Sequence, residues 1–212
     1  MDIATLALAA TLTCQLPAND NLVGLWESTA VSRGGIGSTF EFREDGSYTA
    51  AVTVLVDLAY GIKDGRFFMS HNKNEPIDYN KGTKIEITTT GFSLIGDDGK
   101  KEIKTKEVST VEKTIVGVYK YRHYTGGVAH EKYTSDGLIK FRLPMSSDSG
   151  CYSIKNKTVV INQSEEDPSE MKYKITKGML ELRDSKGKYS YKIVSEGAWY
   201  QSKEIDYQKP TE

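Results

Sequence analysis

Residues 22–48 read LVGLWESTAVSRGGIGSTFEFREDGSY. The stretch holds a Gly24-Leu25-Trp26 opening, a bend at Gly34-Gly35, an alternating run through Phe40 and Phe42, and an Asp45-Gly46 turn into a further alternating run. Residues 115–139, IVGVYKYRHYTGGVAHEKYTSDGLI, repeat it: Val116-Gly117-Val118-Tyr119 answers Val23-Gly24-Leu25-Trp26, and Asp136-Gly137 answers Asp45-Gly46. Alternation with a period of two marks half-buried strands, because successive side chains on a strand point to opposite faces. Asp-Gly between two such runs is hairpin chemistry, since glycine accepts the left-handed backbone that a tight return requires.

The match continues outward from these stretches. Tyr60-Gly61-Ile62-Lys63-Asp64 answers to Tyr152-Ser153-Ile154-Lys155-Asn156, Lys84 to Thr88 answers to Lys172 to Thr176, and Phe92 and Leu94 answer to Leu180 and Leu182. The offset stays around roughly 90 positions, a long period for a repeat. No window carries a helical period. Turn spacing predicts strands near 22–33, 37–44, 47–56, 59–63, 66–70, 83–89, 92–96 and 100–107, then near 115–124, 128–134, 138–144, 150–154, 158–163, 171–176, 179–183 and 188–195. Short links make consecutive strands antiparallel neighbours, and about eight of them can close an up-and-down barrel. The expected fold is all-β: two tandem small up-and-down antiparallel β-barrels of about eight strands each. They would span 19–110 and 111–200, with a leader at 1–18 and a tail at 201–212.

Turn chemistry sets the inward face. A three-residue Glu44-Asp45-Gly46 loop pairs Phe42 with Tyr48 and puts Phe40, Phe42, Tyr48, Val52 and Val54 on one face. A two-residue Asp64-Gly65 turn pairs Ile62 with Phe67 and Tyr60 with Met69. Ile85, Ile87, Phe92, Leu94 and Ile103 complete the first inward set. The second unit supplies Tyr133, Ile139, Phe141, Leu143, Tyr152, Ile154, Val159, Ile161, Tyr173, Ile175, Leu180, Leu182, Tyr191 and Ile193.

Gly24-Leu25-Trp26 at the head of a strand, then F-x-F-x-x-D-G-x-Y from Phe40 to Tyr48, then short meander strands, resembles the small lipocalin-like domains of the calycin group. The resemblance covers the first unit best; in the second, Tyr119 replaces the tryptophan. It implies that Trp26 packs across the closed end of a barrel. The family's arginine in the last strand has no counterpart, since lysines stand there between Lys100 and Lys106. Gly197-Ala198-Trp199 reads as a third opening or as a terminal plug, and the plug is favoured.

Charge and cysteines narrow the function. With 28 basic and 29 acidic residues, the chain is no general polyanion binder. The apolar run Ile3 to Leu12 fits the core of a secretory signal peptide cleaved near Ala18, although Asp2 replaces the usual positive charge. Leu12-Thr13-Cys14 also resembles a lipoprotein acylation box, so a lipid anchor at Cys14 is the one route to a membrane. Either places the protein outside the cell, in the periplasm or in the envelope. Cys14 and Cys151 make neither a disulfide framework nor a zinc set, and Cys151 reads as an outward, inert thiol.

Among the histidines, a two-residue Gly126-Gly127 turn would set His123 against His130, about 5 Å apart, as a Zn²⁺ or Cu²⁺ pair. A three-residue Thr125-Gly126-Gly127 loop instead pairs Tyr119 with Tyr133 and separates the imidazoles. The first unit needs the odd loop to bring Trp26 onto the face of Phe40, so the second is read the same way, with no metal site. No nucleophile elbow or glycine-rich phosphate loop is present. Glu165-Glu166 sits in a loop and reads as solvated.

The binding expectation comes from comparing inward positions. Ser28, Ala30 and Ala50 stand in the first unit where Tyr121, His123 and Phe141 stand in the second. Small residues leave space inside a barrel and large ones fill it. The expected ligand site is therefore a pocket lined by Ser28, Ala30, Phe40, Ala50 and Val52, with Ser28 as the hydrogen-bonding group. The plainer alternative is that Phe42, Tyr48 and Met69 close it. The function expected is non-catalytic binding of a small apolar ligand or a protein partner, without a cofactor. The alternatives are a barrel enzyme using an inward Tyr or His, and a structural or adhesive module.

Overall fold

The computed structural model describes residues 14, 21–125, 127–162, 168–195, 199 and 200. The Ile3 to Leu12 run, the cleavage point at Ala18, Glu165-Glu166 and Gly197-Ala198 lie outside the described residues.

The described elements are all strands. They are β1 (Gly24–Ser28), β2 (Ile36–Phe42), β3 (Ser47–Lys63), β4 (Arg66–Met69), β5 (Thr83–Ile87), β6 (Gly91–Ile95), β7 (Lys101–Thr105), β8 (Gly117–Arg122), β9 (Val128–Tyr133), β10 (Leu138–Lys155), β11 (Thr158–Asn162), β12 (Ser169–Thr176), β13 (Met179–Arg183) and β14 (Lys188–Ile193). The turns behave as their residues require. Phe42 pairs with Tyr48 around Glu44-Asp45-Gly46, with Gly46 at φ 78°, and Tyr60 pairs with Met69 around Asp64-Gly65.

The strands form one antiparallel sheet of 14 strands in the order β7-β6-β5-β4-β3-β2-β1-β14-β13-β12-β11-β10-β9-β8, with a further β3–β10 pairing. Two barrels in tandem, one per repeat, are therefore not what the pairing shows. The reason lies in two strands expected to break and return. Nothing at Asp57-Leu58 forces a turn, and β3 runs on for 17 residues. The Met145 to Gly150 stretch looks like a loop, but β10 continues through it for 18 residues, absorbing the irregularity between Pro144 and Ser146. The two long strands pair from Leu138↔Ala59 to Cys151↔Ser47.

Each half of this ribbon carries its own closed circuit of pairings. The first ring runs β1, β2, the start of β3, the end of β10, then β11 to β14 and back to β1. The second runs from the end of β3 through β4 to β7, then β8, β9 and the start of β10. Between β7 and β8 it is joined by a single bridge, Lys106↔Tyr119. Each ring thus takes strands from both repeats. Accordingly there are two apolar cores. One joins Trp26, Phe42 and Tyr48 to Tyr152, Val159, Ile161, Leu180, Leu182 and Tyr191. The other joins Phe67, Ile85 and Phe92 to Tyr119, Tyr133 and Ile139.

The repeats still match in detail. Gly24 pairs with Phe42 as Gly117 pairs with Tyr133. The Trp26 indole N–H donates to Leu22 O at 2.8 Å, and the Tyr119 hydroxyl donates to Ile115 O at 2.9 Å, each spanning four residues.

Three expectations are corrected. Ile103 is 72% exposed, because the Asp97-Asp98-Gly99 loop sets Phe92 opposite Lys104 and turns Lys104 inward instead. Met69 belongs to the second ring and is exposed, so it cannot close the first. The two cysteines are not separate: Cys14 and Cys151 form a disulfide with Cα atoms 5.2 Å apart. A cysteine so bonded has no thiol to acylate, and cleavage after Ala18 would remove it from the chain.

Candidate functional site

At the end of the first ring next to the β13–β14 turn, the inward face opens. One cavity of about 360 Å³ is walled by Phe40, Tyr48, Ala50, Ile161 and Met171 and rimmed by Ser169, Glu170 and Asp184 to Lys186. A neighbouring one of about 290 Å³ lies over Ser38, Phe40, Ala50 and Val52, with Ser146 to Asp148 of β10 on its far side. Phe40 and Ala50 line both. Trp26 sits at the other end of β14, paired with Ile193 and almost wholly buried.

The walls are rigid for identifiable reasons. Phe40 stacks on Phe42 at 5.7 Å and meets Tyr191 edge-on at 5.4 Å. Ala50 opposite Phe40 in the β2–β3 ladder leaves the room that a larger side chain would take. On the same strand as Phe40, the Ser38 hydroxyl adds a polar group to the wall, 3.2 Å from the Tyr191 hydroxyl. Burial pushes the Tyr191 phenol up, so it stays a neutral hydrogen-bonding group across the ordinary pH range.

Of the expected site residues, Phe40, Ala50 and Val52 come together here. Ser28 does not line either cavity; its Oγ accepts the Ser38 backbone N–H at 3.0 Å and clamps β1 to β2. Ala30 lies beyond the end of β1 and is exposed. Ser38 and Met171 also belong to this face by alternation, two residues before Phe40 and before Tyr173, but neither is among the expected site residues.

Two polar clusters elsewhere compete for attention. Inside the second ring, Glu131 accepts from Lys104 Nζ at 2.9 and 2.8 Å, from the Tyr121 hydroxyl at 2.9 Å and from the Tyr133 hydroxyl at 3.0 Å. Four hydrogen bonds use the whole accepting capacity of a carboxylate. Burial, then the Glu131 charge, pushes the Tyr121 and Tyr133 phenols far up, so both remain protonated donors. These contacts spend the carboxylate's lone pairs within the cluster. It lies where β7 and β8 barely pair, and it ties that seam: Lys104 comes from β7, Tyr121 from β8 and Glu131 from β9. Lys104 Nζ also sits 4.6 Å from the centre of the Tyr121 ring. Glu131 occupies the position of Phe40 in the other repeat, since it pairs with Tyr119 as Phe40 pairs with Trp26.

The second cluster is on the opposite face of the β1–β2–β3–β10 sheet. Arg142 binds both Glu27 oxygens and donates to Asp57 Oδ1 at 2.9 Å. Tyr200, fully buried, donates to Glu27 Oε1 at 3.1 Å, and the Trp199 ring lies 5.9 Å from the Arg142 guanidinium. Trp199 and Tyr200 therefore lie against this ion-pair network, on the face of the sheet away from the ring interior. His130 faces Lys120 across the ladder and packs near Tyr200, while His123 is bonded to Thr125 at its hairpin tip, so the two imidazoles do not meet. Among the described residues, no group of three or more His, Cys, Asp and Glu is placed to hold a metal ion.

Fold and site together define a duplicated all-β protein with an apolar opening at one ring. No family model, curated protein or solved structure matches the chain.

Proposed function

We propose that this chain is a non-catalytic binding protein that takes a small apolar molecule at the open end of the first ring. The observation that carries this is the sharing of Phe40 and Ala50 between two adjoining cavities, each with an apolar wall and a polar rim, beside the Ser38–Tyr191 hydroxyl pair. Apolar walls with one or two oriented polar groups are the usual composition of a small-molecule site. In this reading each ring is a lipocalin-like barrel, the first hollow at one end and the second filled by its tyrosines. The Cys14–Cys151 disulfide supports an oxidising compartment, outside the cell or in its envelope. The enzyme alternative draws no support from Tyr121 and Tyr133, which spend their hydroxyl protons on Glu131.

The test is native mass spectrometry of the protein purified from its own source. A bound apolar molecule that leaves on denaturation is the expected result. A bare chain that also fails to take up Nile red would overturn the proposal and favour a structural module.

A further inference from the structure

A further cavity lies at the other end of the first ring, and its chemistry is different. It measures about 700 Å³ and lies beside the Asn156-Lys157 turn between β10 and β11. Both turn residues have left-handed backbones, φ 50° and 59°, which throws the Lys157 side chain outward from a two-residue return. The β11–β12 ladder stops at Thr158↔Lys172, and its last backbone bond is Tyr173 N–H to Lys157 O at 3.0 Å. β12 runs on past that point, so Lys172, Tyr173, Lys174 and Ile175 present both of its faces to the cavity.

Three lysines thus line one space, and among the described residues no carboxylate lines it. Among the described residues, none of Lys157, Lys172 and Lys174 forms an ion pair. Across the sheet, Lys172 stands opposite Arg183, a like-charged cross-strand pair that costs stability until an anion intervenes. Lys174 stands opposite Glu181, but that carboxylate is held by Lys188 at 2.6 Å and Arg183 at 3.7 Å. In a chain whose charges otherwise nearly cancel, this is a local excess of positive charge over an apolar floor of Tyr173 and Ile175.

We propose that this cavity is an anion site for a small organic phosphate: a dianionic head held by Lys157, Lys172 and Lys174, with a ring or short chain packed on Tyr173. Lysines bind phosphate as point charges and do not impose a bidentate geometry, so the site selects for charge and for the apolar appendage. The proposal is independent of the apolar opening at the far end of the ring.

Isothermal titration with phenyl phosphate, inorganic phosphate and benzylamine tests it. Phenyl phosphate should bind saturably and more tightly than inorganic phosphate, weaken as sodium chloride is raised, and leave benzylamine without measurable binding. In the K157Q/K172Q/K174Q variant, affinity for phenyl phosphate should fall by at least about tenfold. These side chains are exposed, so the variant should keep the wild-type thermal transition and its Nile red uptake. Absence of saturable binding to the wild-type protein would overturn the proposal. So would an affinity that the triple variant leaves within about twofold of the wild type, or benzylamine binding as well as phenyl phosphate.

Discussion

Arg142 and Glu27, 115 residues apart, meet side by side: Nε donates to Oε1 at 2.7 Å and Nη2 to Oε2 at 3.1 Å. One residue comes from the first repeat and the other from the second, and both are almost wholly buried. Breaking such a pair strands a charge out of water, whereas removing both ends together does not. Arg142→Met is expected to cost about 3–5 kcal/mol by denaturant unfolding, chiefly through the buried Glu27 carboxylate that loses its two-pronged partner. E27Q/R142M should cost clearly less than the sum of the two single changes. Additive effects would show that the contact is not made.

Acid should act through the same network. Burial alone would raise the Asp57 carboxyl, but the Arg142 charge and hydrogen bond, with those of Lys73, outweigh it and hold the carboxyl below its ordinary range. A carboxylate with a lowered folded-state pKa contributes stability that is present above the unfolded value, about 3.9, and is lost as pH falls below it. Thermal melts taken from neutral pH downward should therefore show a loss below about pH 4 that is shallower in Asp57→Asn. An equal slope in the two proteins would remove Asp57 from the account of acid sensitivity.

The seam of the second ring gives a local prediction. Three ladder pairs join β1 to β14, Trp26↔Ile193 to Ser28↔Tyr191, whereas one bridge joins β7 to β8. Lys104, Tyr121 and Glu131 are expected to hold that seam. Glu131→Ala should destabilise the protein by about 2–4 kcal/mol. It should also speed hydrogen exchange at β7 and β8 while leaving β1 and β14 protected. Uniform acceleration across both rings would contradict this.

The disulfide ties positions 137 residues apart. Closing so long a loop restricts the unfolded chain, and its loss typically costs about 2–5 kcal/mol. Cys151→Ser should lower the melting temperature accordingly. Thiol titration of the denatured wild-type protein should find no free thiol until reductant is added. Two free thiols without reductant would refute the bond.

Local geometry was legible in the sequence wherever a turn announced itself. Asp45-Gly46 fixed Phe42 against Tyr48, and Asp64-Gly65 fixed Tyr60 against Met69. The Thr125-Gly126-Gly127 loop was read two residues short: Gly117, not Tyr119, pairs with Tyr133. A shift by two keeps every side chain on its face, so the parity survived the error. What could not be read was partnership between repeats. Two copies with the same pattern offer the same cross-strand contacts whether a strand pairs within its own copy or with the other, as in domain swapping. The choice rests on whether β3 and β10 bend or run straight, and at Asp57-Leu58 neither glycine nor proline signals it. At the site, Phe40, Ala50 and Val52 followed from alternation. Ala30 did not, because β1 ends at Ser28 before reaching it.

The most direct measurement concerns the apolar opening itself. Ala50 lines both cavities there, opposite Phe40, and an indole at this position would fill them. Titrating Nile red into the wild-type protein and into Ala50→Trp, with folding of each checked by its thermal transition, should show saturable uptake in the first and its loss in the second. The smaller change Ala50→Leu, should the tryptophan not fold, is expected to weaken uptake. Equal binding to wild type and to a folded Ala50→Trp would contradict a ligand site at the open end of the first ring.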